Sequence, residues 1–73
     1  MRDTLGMSEE ALWKLAEQVM TAEQWLAFWL GFREDFTVAD IARMLGVSRQ
    51  AINARLDGAR RRLEKALNEQ EAA

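Results

Sequence analysis

The sequence predicts an all-α fold, a small bundle of four helices. Three observations lead there. Proline is absent from the chain. Apolar residues recur at three- and four-residue spacing along nearly all of it. Four hydroxyl residues, Ser8, Thr21, Thr37 and Ser48, each stand where such a pattern begins, as helix N-caps do. Seventy-three residues make one small domain near the lower limit for a self-sufficient core. A core of that size rarely supplies more than about 3–5 kcal/mol, so a partner surface would add usefully to it.

Met1–Met7 shows no periodicity and is expected to be a frayed lead-in. Over residues 8–20, Leu12, Leu15, Ala16 and Val19 form an apolar stripe behind the Ser8 cap, and Glu9 and Glu10 suit the positive end of the helix dipole. Thr21 with Gln24 forms a capping box that opens a second helix, Ala22–Arg33. Leu26 and Leu30 mark one face of it, while Trp25, Phe28, Trp29 and Phe32 cover much of the rest. A helix apolar nearly all round must be buried on more than one side. Either the first helix or a second copy of the chain would cover it. Trp13, Met20, Trp25 and Trp29 are the residues expected at a contact between copies, with packing inside one chain as the alternative. Phe36, in the short connection that follows, is expected to turn back into the core.

The next stretch, Thr37–Asp57, organises the rest. Thr37 caps a helix of about two turns, Val38–Leu45, with Asp40 in the capping-box position and Ile41, Ala42 and Leu45 at helical spacing. Gly46 can take the left-handed backbone angle that ends a helix. Ser48 then caps a longer helix that begins at Arg49 and runs to about Asn68, with residues 69–73 expected to fray. A short helix, a tight glycine turn and a longer helix make a helix-turn-helix.

Sorted at about 100° per residue, the long helix has two sides. Ile52, Leu56, Ala59, Leu63 and Leu67 fall on the side that should face the core. Opposite them lie Gln50, Asn53, Ala54, Asp57 and Arg61, flanked by Arg49 and Arg60 on one rim and by Arg55 and Arg62 on the other. Amides and guanidinium groups can read base edges in a major groove, and rim arginines can hold phosphates. A plain solvated face with ion pairs such as Asp57–Arg61 and Arg60–Glu64 is the alternative. Gly58, in mid-helix, costs on the order of 1 kcal/mol against alanine and marks close packing, a bend or simple tolerance.

Charge is segregated. The formal net charge is −2, but residues 1–40 hold three basic and eight acidic side chains, a balance of −5. Residues 41–73 hold seven basic and four acidic, a balance of +3, as expected when one end of a molecule meets phosphate.

On these residues the stretch from about Thr21 to Leu67 resembles the C-terminal, promoter-reading domain of bacterial sigma factors, region 4. The matching pieces are Thr21-Ala-Glu-Gln24, Thr37-Val-Ala-Asp-Ile-Ala42, Leu45-Gly46-Val47-Ser48, Ile52-Asn-Ala-Arg55-Leu56 and Ala59-Arg60-Arg61-Arg62-Leu63. The resemblance implies that Ser48, Arg49, Gln50 and Asn53 meet DNA. Gly58 stands where the family usually has a basic residue, and Asp57 sets a negative charge near the presumed DNA face. With the helix-face reading, the expected DNA-binding set is Ser48, Arg49, Gln50, Asn53, Ala54, Arg55, Asp57, Arg60, Arg61 and Arg62.

The expected function is therefore a bacterial or phage transcription regulator that binds double-stranded DNA sequence-specifically, as a homodimer. The alternative is a protein-interaction module that binds RNA polymerase or another transcription factor without reading DNA itself. Alone, such a domain lacks the parts of a sigma factor that open promoters, so it is not a complete initiation factor, though it could be a fragment of one. With neither histidine nor cysteine, disulfides, the usual zinc sites and the commonest acid–base and nucleophilic schemes find no residues. The four scattered glycines form no phosphate loop, so no enzyme, cofactor, metal or small-molecule substrate is expected. No apolar run approaches the roughly 20 residues of a membrane span, and the N-terminus lacks a signal peptide's apolar core; a cytoplasmic location is expected.

Overall fold

The structure is a computed structural model that describes residues 8–72. The expected lead-in, residues 1–7, and Ala73 lie outside the described residues. Four α-helices, α1 (Glu9–Val19), α2 (Ala22–Phe28), α3 (Val38–Leu45) and α4 (Arg49–Ala72), follow one another, and a π-helical turn, Trp29–Arg33, extends α2. The first cap accepts from the residue three ahead: Ser8 Oγ takes Ala11 N–H at 3.1 Å. Thr37 Oγ1 takes Asp40 N–H at 3.1 Å and Ser48 Oγ takes Ala51 N–H at 3.0 Å in the same way. At Thr21 the box closes in both directions, with Gln24 Oε1 accepting from Thr21 N–H at 3.1 Å and Thr21 Oγ1 accepting from Gln24 N–H at 3.1 Å. Each such cap contributes about 1 kcal/mol. Between α3 and α4, Gly46 adopts φ 71° and Val47 N–H reaches back to Ala42 O at 3.0 Å. Without a Cβ, glycine takes that angle at little steric cost.

α4 is the spine, and each of the other three helices packs against it. The core has two parts along its length. Ile41 and Ala42 of α3 meet Ile52, with Leu30, Val38, Leu45, Val47 and Leu56 around them. Ala16 and Met20 meet Ala59, with Val19, Trp25, Phe28 and Leu63 around them. The predicted inward stripe of α4 is the one that packs. α4 is helical as far as Ala72.

Two side chains sit elsewhere than expected. Phe36 is 41% exposed rather than turned back into the core, and Leu26, on one face of α2, is 42% exposed. Met20 is 8% exposed and belongs to the chain's own core, so it presents no surface to a second copy. Alanines at 16, 27 and 59 are fully buried where the helices meet. The molecule extends only 15 Å along its shortest axis, little more than one helix diameter. Aromatic rings therefore spread around the centre instead of filling it. Trp13 of α1 meets Trp25, Phe28 and Trp29 edge-on or tilted, with centroids at 6.0, 5.2 and 5.4 Å. The tryptophans thus find one another within a single chain.

The π turn arises at the end of this aromatic run. Glu34 N–H donates to Trp29 O five residues back at 3.1 Å, and Phe36 N–H to Leu30 O at 3.0 Å, with Asp35 in the left-handed region at φ 64°. Aspartate is among the few non-glycine residues that tolerate it.

Of the readings open for Gly58, close packing is the one the structure takes. A Cβ there would lie 2.6 Å from Gln24 Nε2. Gln24 cannot simply swing away, because its Oε1 is held in the capping box. Alanine at 58 should therefore gain about 1 kcal/mol of helix propensity and lose a comparable amount at the box, leaving stability nearly unchanged. In a Gln24→Ala background the same Gly58→Ala change should stabilise by about 1 kcal/mol, read as a shift in urea midpoint at constant slope.

Candidate nucleic-acid interface

The Gly46 turn sends α4 off with its first two turns uncovered on one side. Ser48, Arg49, Gln50, Asn53 and Ala54 are all exposed there. Ile52, between them in sequence, is fully buried against Ile41, which fixes the helix's rotation and hence the direction of that face. Among the described residues no side chain hydrogen-bonds to Arg49, Gln50 or Asn53, so their donors and acceptors are free for a ligand. Ser48 is partly committed, since its Oγ caps the helix.

One rim of the predicted face lies beside α1 and α2. Arg55 is mostly covered and stands 3.8 Å from Glu23 of α2. Arg62 Nη1 donates to Val19 O at 3.1 Å, at the C-terminal end of α1. α1 carries no basic residue in its own last turn, so Arg62 supplies the positive charge that the negative end of that dipole favours. Both arginines were expected on the DNA face; each also contacts a neighbouring helix, and Arg62 stays exposed while Arg55 is mostly covered. The helical angle placed them correctly at an edge, but sequence spacing alone does not reveal that α1 and α2 occupy that edge.

The other rim stays open and is knotted by ion pairs. Asp57 Oδ1 accepts from Arg60 Nη2 at 2.7 Å, Asp57 Oδ2 from Arg61 Nη2, and Glu64 from Arg60 Nη1 at 3.1 Å. The hydrogen bond from Arg60 is the main cause that holds the Asp57 carboxyl below the usual aspartate range, with Arg61's charge adding to it. The same bond, followed by that to Glu64, raises Arg60 above the usual arginine value. Arg43, exposed on α3 and paired with Asp40, is a further cation beside the turn. Sequence reading passed over it, although it lies on the outward side of α3, opposite Ile41.

A family model described as Sigma-70, region 4, matches residues 18–65, well over half of the chain. The chain belongs to the sigma-70 region 4 family. No curated protein and no solved structure matches it. As a region 4 domain it is a DNA-binding helix-turn-helix, and the family is not an enzymatic one. The matched span takes in α2, the π turn, α3 and the exposed part of α4, and it leaves most of α1 outside. The helix-turn-helix, α3 and the start of α4, thus lies within the match, and α1, mostly outside it, packs against α4. Among the described residues no helix is long and apolar enough to cross a membrane, and no group of side chains is arranged to hold a metal ion.

Because Asp57's carboxyl is lowered on folding, the stabilisation from its pairs is present above the ordinary aspartate range and is lost as pH falls through the lowered value. An NMR titration of the Asp57 side-chain carboxyl should give a midpoint below the ordinary range. Arg60→Ala should return it most of the way, and Arg61→Ala less.

Proposed function

We propose that this region 4 domain is a sequence-specific transcription regulator that lays the start of α4 in the major groove of duplex DNA. Arg49, Gln50 and Asn53 read base edges, Ser48 and Ala54 lie against the groove, and Arg43, Arg60 and Arg61 face the phosphates. The observation that carries this reading is the free Arg49–Gln50–Asn53 face, rotated outward by buried Ile52. Arginine paired with guanine, and glutamine or asparagine paired with adenine, are the groove contacts such side chains make best. Cytoplasmic residence follows from that role, and the family supports association with RNA polymerase.

One module of this size binds DNA non-specifically with a Kd of only about 10⁻⁴–10⁻⁶ M, and reading three or four bases adds little to it. Pairing of two copies would set two such helices about 34 Å apart on one DNA face and ask for a palindromic site. The surface suited to pairing differs from the one read in the sequence, since Met20 is withdrawn into the core. It is the groove of about 430 Å³ lined by Leu12, Trp13, Phe28 and Phe32, with Glu9 and Arg60 at its edges. Phe32 is 62% exposed beside it, and Trp25 and Trp29 pack against Trp13. An exposed ring and an apolar recess on one face are what a two-fold contact between identical surfaces uses.

Selection from random duplex DNA should return an inverted repeat. Arg49→Ala and Gln50→Ala should each relax preference at one position per half-site, at about 1–3 kcal/mol per lost base contact. If both variants keep the wild-type preference, the groove-reading assignment is wrong. Phe32→Glu should turn a dimer in sedimentation equilibrium into a monomer that keeps the helical circular-dichroism spectrum. A wild-type monomer at tens of micromolar would remove the pairing.

A further inference from the structure

Asp57 is the one carboxylate on the outward side of α4 between Arg49 and Arg61. Both its oxygens are taken by arginines of its own helix, Arg60 Nη2 at 2.7 Å and Arg61 Nη2. Arg60's other terminal nitrogen is held by Glu64. Where the chain is richest in arginine, two guanidinium groups are therefore matched by two carboxylates, and this patch carries no net charge. A carboxylate and a phosphate offer an arginine the same thing, paired anionic oxygens at hydrogen-bond distance.

We propose that Asp57 is an internal stand-in for a DNA phosphate: it holds Arg60 and Arg61 in reserve, and so sets how tightly, though not where, this domain binds duplex DNA. The proposal rests on the DNA-binding reading above. For either arginine to reach the backbone it must leave Asp57, and the uncovered carboxylate then faces the phosphates itself. Both effects weaken binding on every sequence alike. The other role open to an aspartate on this face is accepting a hydrogen bond from cytosine N4. A carboxylate already satisfied at both oxygens is poorly placed for that. Exposed ion pairs are individually weak, so the restraint is graded rather than all-or-none.

The test is Asp57→Asn, titrated against a mixed-sequence duplex and against the duplex returned by selection. From the worth of two surface pairs, affinity should rise about threefold to tenfold on both duplexes at low salt. Across about 50–200 mM salt, the slope of log affinity against log salt should steepen by about one for each phosphate newly contacted. In an Arg60→Ala, Arg61→Ala background, Asp57→Asn should bring no such gain. Circular dichroism should show all variants folded, since these side chains lie at the surface.

Loss of affinity on the selected duplex alone would overturn the proposal and make Asp57 a base reader. A gain that survives without the two arginines would overturn it in favour of simple repulsion between Asp57 and DNA. Unchanged affinity would overturn it as well. If wild type and Asp57→Asn alike bind no duplex at low salt, the DNA-binding reading itself has failed, a result recognisable without reference to Asp57.

Discussion

The contact between Ile41 and Ile52 is the constraint from which the rest follows. They are the largest fully buried side chains among the described residues, and they stand on either side of the Gly46 turn. Ala42, small and nearly buried beside them, lets α3 and α4 cross closely. With the turn held by the glycine's positive φ and the Ser48 cap, the pair of helices has little freedom left. α4 cannot rotate without pulling Ile52 out of its contact. A buried isoleucine pair is therefore what points Gln50 and Asn53 at solvent.

Much of this was legible because it is local. An N-cap needs one hydroxyl and an amide three residues on, and each of Ser8, Thr21, Thr37 and Ser48 makes that bond. The left-handed glycine and the inward stripe of α4 are equally short-range. What escaped was every feature decided by a partner distant in sequence. Arg62 and Val19 are 43 residues apart, so their hydrogen bond left no trace in either neighbourhood. Arg55 went astray for the same reason, through Glu23. Phe36 was placed inside on hydropathy, yet it is 41% exposed. The π turn has no simple sequence signature either: it is the aromatic run of α2 settling against Trp13 that it accompanies.

Charge shows how a correct average can mislead about a surface. The C-terminal half is basic, yet two of its seven cations, Arg55 and Arg62, serve helix packing. Two more, Arg60 and Arg61, are tied to Asp57. Arg49 is left as the exposed cation on the first turn of α4, beside two free amides. Such a face is poorer in phosphate attraction than the composition promised and relatively richer in groups that discriminate bases. Electrostatic attraction to DNA is indifferent to sequence, whereas hydrogen bonds to base edges are not. Restraining the first lowers affinity on all sequences together and leaves their ranking to the second.

The two proposed surfaces of the molecule also share a border. Phe28 and Phe32 line a recess that continues to Asn53, Leu56, Asp57 and Arg60 on α4, and the larger apolar groove beside it again ends at Arg60. Phe32 therefore stands next to the residues proposed to face DNA. An occupant of the groove, whether a second copy or another protein, would lie against Arg60, where the ion pairs to Asp57 and Glu64 already compete. Desolvation strengthens whichever pair it covers. On the proposed reading, the face for a second copy and the face for DNA thus meet at one guanidinium group, that of Arg60.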